Sequence, residues 1–234
     1  MATKKTKGKW IVKLLKAAVT AYLLLILCQM IGNAYSRLSI THKIPVSEEW
    51  NLIVVNRWNE LPEDYSVELT ELSNGQKVDS RIYPYLQEMF DAARAEGIYP
   101  IVREGYRTAE EQQEILDDKI QTYINQGYSQ SRAEKTAKEW VALPGTSEHQ
   151  LGIAVDINAD KSKCSNEEVY AWLAENAYKY GFVLRYPPGK QKITGTSYEP
   201  WHYRYVGIEA AKEIYERGIC LEEYFKQMIE EVGL

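Results

Sequence analysis

Histidine is scarce in this chain of 234 residues: there are three, His42, His149 and His202. Cysteine is equally scarce, at Cys28, Cys164 and Cys220. None lies near the two later histidines in sequence, which argues against a closed structural zinc site. Cys164 and Cys220 either pair outside the cell or remain two free buried thiols, since isolated cysteines make no disulfide framework. Phenylalanine numbers three against 18 tyrosines. Tyrosine-rich grooves bind glycans and peptides, but most of these tyrosines keep helix or strand spacing and read as rim packing. There are no internal repeats and no low-complexity tract beyond the amino terminus. Acidic residues are missing altogether from Met1 to Arg37.

That acid-free stretch holds Lys4, Lys5, Lys7, Lys9, Lys13, Lys16 and Arg37, and Ala17 to Ile31 within it is almost wholly apolar. A charged start followed by an apolar run is a membrane-targeting segment. It reaches spanning length if Ile11 to Leu15 join it and Lys13 and Lys16 snorkel. The expectation is an uncleaved single-pass anchor in residues 1–34 with its basic end in the cytoplasm. The alternative is secretion after cleavage near Gly32-Asn33-Ala34. Residues 35–50 read as a linker, with His42 a solvated bystander, and residues 51–234 as one folded domain. The whole chain has 28 basic and 33 acidic residues. Without the seven basic residues of Met1 to Arg37, 21 face 33, a net charge of −12. An acidic ectodomain argues against nucleic acid as a partner; the expectation is a monomer.

The stretch Ser147-Glu-His-Gln-Leu-Gly-Ile-Ala-Val-Asp-Ile-Asn158 carries the chemistry. From Gly152 to Ile157 the apolar residues alternate, so Ile153, Val155 and Ile157 share one face of a strand. Gly152, Ala154 and Asp156 share the other. A carboxylate inside such a strand is costly unless paired, and a metal would offset that cost. His149 lies one turn before the strand. Downstream, in Glu199-Pro-Trp-His-Tyr-Arg204, Trp201, Tyr203 and Tyr205 alternate with His202 and Arg204, which again reads as a strand. The expected metal ligands are His149, Asp156 and His202, with Glu199 beside them. Two imidazoles, one carboxylate and an open position suit one catalytic Zn2+ ion. Glu199 would take a proton from the attacking water and pass it to the leaving amine. Residues three apart on a regular strand face opposite ways, so Glu199 and His202 converge only if the chain bends, and Pro200 makes a turn or bulge there plausible.

These stretches resemble the paired motifs of the VanY-type D-alanyl-D-alanine carboxypeptidases, zinc peptidases sharing the fold of the hedgehog signalling domain and the lysostaphin-type endopeptidases. The pattern Ser-x-His-x-x-Gly-x-Ala-x-Asp followed by Glu-x-x-His is met at Ser147, His149, Gly152, Ala154, Asp156, Glu199 and His202. The resemblance runs from about Leu52 to about Tyr224. It implies an extracytoplasmic bacterial enzyme that removes a terminal D-alanine from peptidoglycan stem peptides. It also implies that Ser147 binds substrate and that Tyr106-Arg107, with Gln112 five residues on, contacts it. On local sequence alone Arg107 would be an ordinary surface ion-pair residue. As a site residue, its guanidinium would bind or polarise the substrate and grip a carboxylate in bidentate fashion. Arg103 is a weaker candidate.

Other elements follow from spacing and caps. Leu52 to Val55 reads as the first strand, Ser80 to Gly97 as a helix and Ile98 to Val102 as a strand. Thr108 and Glu111 form a capping box for the helix of Ile115, Leu116 and Ile120. Ser131 with Glu134 reads as a second box opening a helix to Trp140. Ser165 with Glu168 opens a third helix, ended by Gly181. Phe182 to Tyr186 reads as a strand, Pro187 to Tyr198 as a loop bordering the cleft, and Gly207 to Arg217 and Leu221 to Val232 as closing helices. The order lacks a strict βαβ repeat, so the expected class is α+β: a small, largely antiparallel sheet flanked by helices. The rival readings are a peptidoglycan endopeptidase and a non-catalytic wall-binding module of the same fold.

Overall fold

The computed structural model describes residues 49–232; the basic and apolar amino-terminal segment, most of the linker and His42 lie outside the described residues. Among the described residues no helix is long and apolar enough to cross a membrane.

The fold is α+β. Its centre is a four-stranded antiparallel sheet of β3 (Pro100–Glu104), β4 (Ala154–Ala159), β5 (Phe182–Leu184) and β6 (His202–Tyr205), in the order β3-β4-β6-β5. A separate hairpin pairs β1 (Leu69–Glu71) with β2 (Lys77–Asp79). The helices are α1 (Tyr83–Ala95), α2 (Ala109–Asn125), α3 (Gln130–Ala137), α4 (Asn166–Asn176), the single turn α5 (Gln191–Thr194), α6 (Ile208–Arg217) and α7 (Leu221–Val232).

Strand alternation divides the sheet into two chemically different faces. Ile153, Val155, Ile157, Tyr203, Tyr205 and Phe182 point into a core that α1 closes with Leu86, Met89, Phe90 and Ala93 and α4 closes with Val169, Trp172 and Leu173. Burying such side chains stabilises the fold by roughly 1.5–3 kcal/mol each. Asp156, His202 and Arg204 occupy the opposite face. A second cluster, with Val183, Val206, Ala211, Ile214, Leu221 and Phe225, packs α6 and α7 against the β5 edge.

The capping boxes at Thr108–Glu111 and Ser165–Glu168 form as the sequence predicts, each with both reciprocal hydrogen bonds. The third differs. Ser129 occupies the N-cap position of α3, two residues earlier, and Ser131 and Glu134 both lie inside the helix, where Glu134 accepts from Gln130 instead. Leu52–Val55 is buried but joins no sheet; Trp50–Leu52 is a 3-10 turn. Arg204 supplies the reason: its Nη2 donates to the carbonyls of Asn51 and Ile53, taking the acceptors a partner strand would use. The Phe182–Tyr186 strand stops at Leu184, and the Pro187–Tyr198 loop contains α5. Cys164 and Cys220 are both free thiols.

Candidate metal centre

The site forms where β4 and β6 lie side by side. Their register pairs Asp156 with His202 and Ala154 with Arg204. Directly opposed residues on antiparallel strands project to the same face, so the carboxylate and the imidazole meet with no loop to position them. His202 Nδ1 lies 2.9 Å from Asp156 Oδ1. His149 arrives from a 3-10 turn, Glu148–Leu151, which Gly152 closes in the left-handed conformation at φ 74°. A Cβ on Gly152 would also approach the Asp79 backbone nitrogen at 3.2 Å. His149 Nδ1 donates to the Gly105 carbonyl at 2.8 Å, which leaves Nε2 facing Asp156 Oδ1 at 3.4 Å.

His149, Asp156 and His202 thus each bring one ligand atom to a common point, all within 4.8 Å of one another. The protonation pattern fits a cation. Burial and the nearby Arg107 push the His149 imidazole down to about 4, so it offers a lone pair at neutral pH. The two histidines overcome the burial of Asp156 and hold its carboxyl well below the usual range. Burial works against a charge on His202, but its side-chain interactions with Asp156 and Glu148 and the negative charges of Asp156 and Glu199 outweigh it and raise the ring to about 9. A proton is retained beside Asp156 where a divalent ion can replace it.

Glu199 joins them through a turn. His202 N–H donates to the Glu199 carbonyl at 3.2 Å, with Pro200 at the second position, so the chain reverses before β6 begins. The two side chains, which a regular strand would turn apart, converge through the bend expected at Pro200: Glu199 Oε2 is 3.8 Å from His202 Nδ1. Burial, helped by the charge of Asp156, lifts the Glu199 carboxyl to about 7 against the pull of His202 and Arg107.

Arg107 stands on the other side. A bulge between Val102 and Glu104 shifts the β3 register and carries the chain toward the site. Arg107 N–H donates to the His149 carbonyl at 3.2 Å, and its Nη2 lies 3.9 Å from Asp156 Oδ2. Gln112 is buried and bridges Arg107 Nη1 at 3.0 Å and the Ala142 carbonyl at 2.8 Å. Arg107 Nε is buried with no hydrogen-bond partner. Ser147 is buried at the start of the 3-10 turn, where its side chain makes no capping bond. Arg103 projects away, exposed.

Several neighbours escape sequence reasoning. Glu148 is fully buried beneath the site, with Oε1 accepting from Arg185 Nε and Arg204 Nη1, both at 2.8 Å. Tyr186 packs on His202 with ring centroids 4.8 Å apart. The signal for Arg204 is its two-residue spacing from His202 on one strand. Glu148 carries none, because an acid between Ser147 and His149 reads as solvated. The β1–β2 hairpin also went unread, yet its Lys77 carbonyl accepts from Tyr106 N–H at 2.6 Å and so supports the Gly105–Arg107 segment.

An antiparallel sheet with two histidines, one aspartate and a buried glutamate beside them is the layout of a mononuclear metallohydrolase. The model of the VanY family, D-alanyl-D-alanine carboxypeptidase, matches residues 75–208. The chain belongs to that family. A D-alanyl-D-alanine carboxypeptidase of Enterococcus faecalis is 62% identical over 177 residues, covering 76% of this chain and 66% of its own. The chain therefore spans just under two thirds of that relative. The vancomycin-resistance D,D-pentapeptidase VanY from a VanB-type cassette, solved with Zn(II), superposes with a TM-score of 0.74 at 62% identity, covering 75% of this chain and 99% of that one. VanYB solved with D-alanine-D-alanine gives 0.75 at 62% identity, covering 76% and 98%.

Proposed function

We propose that residues 51–234 form a zinc-dependent D,D-carboxypeptidase that removes the terminal D-alanine from peptidoglycan stem peptides. We propose further that residues 1–34 hold it at the bacterial membrane, with the catalytic domain outside and residues 35–50 as linker. The observation that carries the reading is the convergence of His149 Nε2, Asp156 Oδ1 and His202 Nδ1 beside a buried Glu199. The D,D preference follows the 62% identity to a D,D-pentapeptidase. Bound by these three ligands, zinc supplies a Lewis acid that polarises the scissile carbonyl and makes water more acidic.

The chain's own groups do the rest. Glu199 is the general base: a carboxyl lifted to about 7 both accepts and returns a proton near neutral pH. It takes the proton from the attacking water as the C–O bond forms. It then passes that proton to the amine nitrogen as the C–N bond breaks, releasing D-alanine. Arg107 offers its guanidinium to a substrate oxygen, either the terminal carboxylate or the carbonyl oxygen that gains charge. Gln112 acts through Arg107 by holding its guanidinium, and Ser147 lies beside the cleft as a further substrate contact. The acidic domain still disfavours nucleic acid.

The test combines metal content with release of D-alanine from a stem pentapeptide. His149→Ala, Asp156→Ala and His202→Ala should each lose zinc. Glu199→Gln should keep zinc and fold, yet lose roughly 10²–10⁴-fold in rate, the usual worth of a positioned base. Parental turnover by zinc-loaded Glu199→Gln would sink the mechanism. A parent that binds wall fragments but releases nothing would favour a binding module.

A further inference from the structure

Two buried polar atoms without hydrogen-bond partners face each other beneath the site: Glu148 Oε2 and His202 Nε2, 3.7 Å apart. Neither orientation is accidental. Glu148 Oε1 is occupied by Arg185 and Arg204. Those two arginines are themselves fixed. Arg185 donates through Nη1 and Nη2 to Glu222 at 2.8 and 2.6 Å. Arg204 donates to the carbonyls of Tyr205, Asn51 and Ile53. The carboxylate is therefore clamped through one oxygen with the other aimed at the ring. On the far side of that ring, Nδ1 is the atom that meets Asp156.

A neutral imidazole carries one proton, and whichever nitrogen holds it cannot be a ligand. An acceptor behind Nε2 keeps the proton there and turns the Nδ1 lone pair toward the cluster. Closing the gap to an ordinary hydrogen bond needs a ring movement of about 0.8 Å. We infer that Glu148 is a positioning residue for the metal: it holds His202 as the Nε2–H tautomer and fixes the ring so that Nδ1 ligates. The inference rests on the zinc site proposed above and adds a carboxylate–histidine–metal relay to it. Gly105 plays the matching part for His149, where the carbonyl accepts from Nδ1 and leaves Nε2 to ligate. The two histidines are thereby held in opposite tautomers by acceptors of different kinds.

A purely structural Glu148 would only neutralise Arg185 and Arg204, and the two roles separate in Glu148→Gln. The amide oxygen stays with the two guanidiniums, which need an acceptor. The amide NH2 then faces His202 Nε2 as a donor, and the ring answers by carrying its proton on Nδ1, toward the metal. Zinc affinity, measured on the purified full chain by competition with a chromophoric chelator, should fall by about 10–100-fold. Glu222→Gln serves as the control. It weakens the same buried ion cluster without facing His202, so it should lower the unfolding midpoint and leave zinc affinity unchanged.

Long-range 1H–15N spectra of the zinc-loaded parent, labelled at histidine, provide the second readout and do not depend on any variant folding. His202 should show zinc on Nδ1 and a slowly exchanging Nε2–H. Ligation through Nε2, an Nε2–H exchanging as freely as in a solvated imidazole, or parental zinc affinity in folded Glu148→Gln would each overturn the Glu148 assignment while leaving the zinc site standing. A parent that takes up no zinc would overturn the zinc site itself, and this inference with it.

Discussion

Glu199→Gln should stabilise the metal-free protein, and by an amount that depends on pH. Burial lifts the Glu199 carboxyl from its usual 4.5 to about 7. Each tenfold change in proton affinity is worth about 1.4 kcal/mol, so ionising Glu199 in the folded state costs about 3 kcal/mol more than in the unfolded chain. Because the folded value is the higher one, the neutral carboxyl contributes fully below about 4.5. That contribution is lost as the pH rises through about 7. Glutamine is a permanent stand-in for the neutral acid and loses nothing over this range. Urea unfolding of chelator-treated parent and variant should therefore give nearly equal stabilities at pH 4. At pH 8 the variant should lead by up to about 3 kcal/mol. Titrating groups that do not interact with Glu199 are common to both proteins and cancel in the difference; His202, whose ring Glu199 helps to keep charged, does not, and it narrows the gap. Zinc should shrink the gap, since a cation beside Glu199 favours its charged form. A gap that is the same at both pH values, or a variant less stable at pH 8, would refute the argument that Glu199 is held against its own ionisation.

Gly105→Ala should damage the site from behind: a Cβ there would lie 2.2 Å from the Lys77 carbonyl oxygen. The segment must shift, weakening the Tyr106–Lys77 bond and withdrawing the carbonyl that orients His149. We expect about 1–3 kcal/mol of lost stability and a lower zinc affinity, and parental values in urea unfolding and chelator competition would contradict this. Arg107→Lys keeps the charge but loses the planar fork, so kcat/KM for pentapeptide should fall nearly as far as in Arg107→Ala. A rise confined to KM would assign the guanidinium to the substrate carboxylate, and a fall in kcat to the developing oxyanion. Gln112→Ala should cost less than Arg107→Ala and add little to it in the double variant, because it acts through the same guanidinium. Full additivity would mean that Gln112 meets substrate on its own account.

Local pattern carried much of the candidate site. Asp156 stood out because a carboxylate interrupts the Ile153, Val155, Ile157 alternation, and two of the three histidines flanked it in matching motifs. The helices opened by Thr108 and Ser165 were legible because a capping box is a short-range bond pattern. Pairing was not legible. That Asp156 lies opposite His202 depends on which strands become neighbours, and no window of sequence records it. Leu52–Val55 looked like a strand because it is buried and apolar, yet a side chain, Arg204, takes the Ile53 carbonyl within it and the Asn51 carbonyl just before it. The β1–β2 hairpin has strands of three residues, too short for alternation to register. Glu148 failed for a different reason: a buried acid is recognisable only from its arginines, and those lie on β6 and just beyond β5.

The 3-10 turn at Glu148–Leu151 has a consequence for how this protein can change. Four consecutive residues there are all buried, and three of them engage different parts of the molecule: Glu148 the arginines, His149 the Gly105 carbonyl, and Gln150 the Gly145 N–H at 2.7 Å. With three residues to a turn, one inserted or deleted residue rotates every following side chain by about 120°. His149 would then point where its neighbour had pointed, and a carboxylate or an amide would be turned toward the metal. Substitution can tune such a segment, but a change of length scrambles it at once. Insertions are instead tolerated where the chain runs over the surface with few obligations, as between α2 and α3, where Gly127 has open space around it. Loops of that kind can be lengthened while the ten residues from Ser147 to Asp156 keep their count.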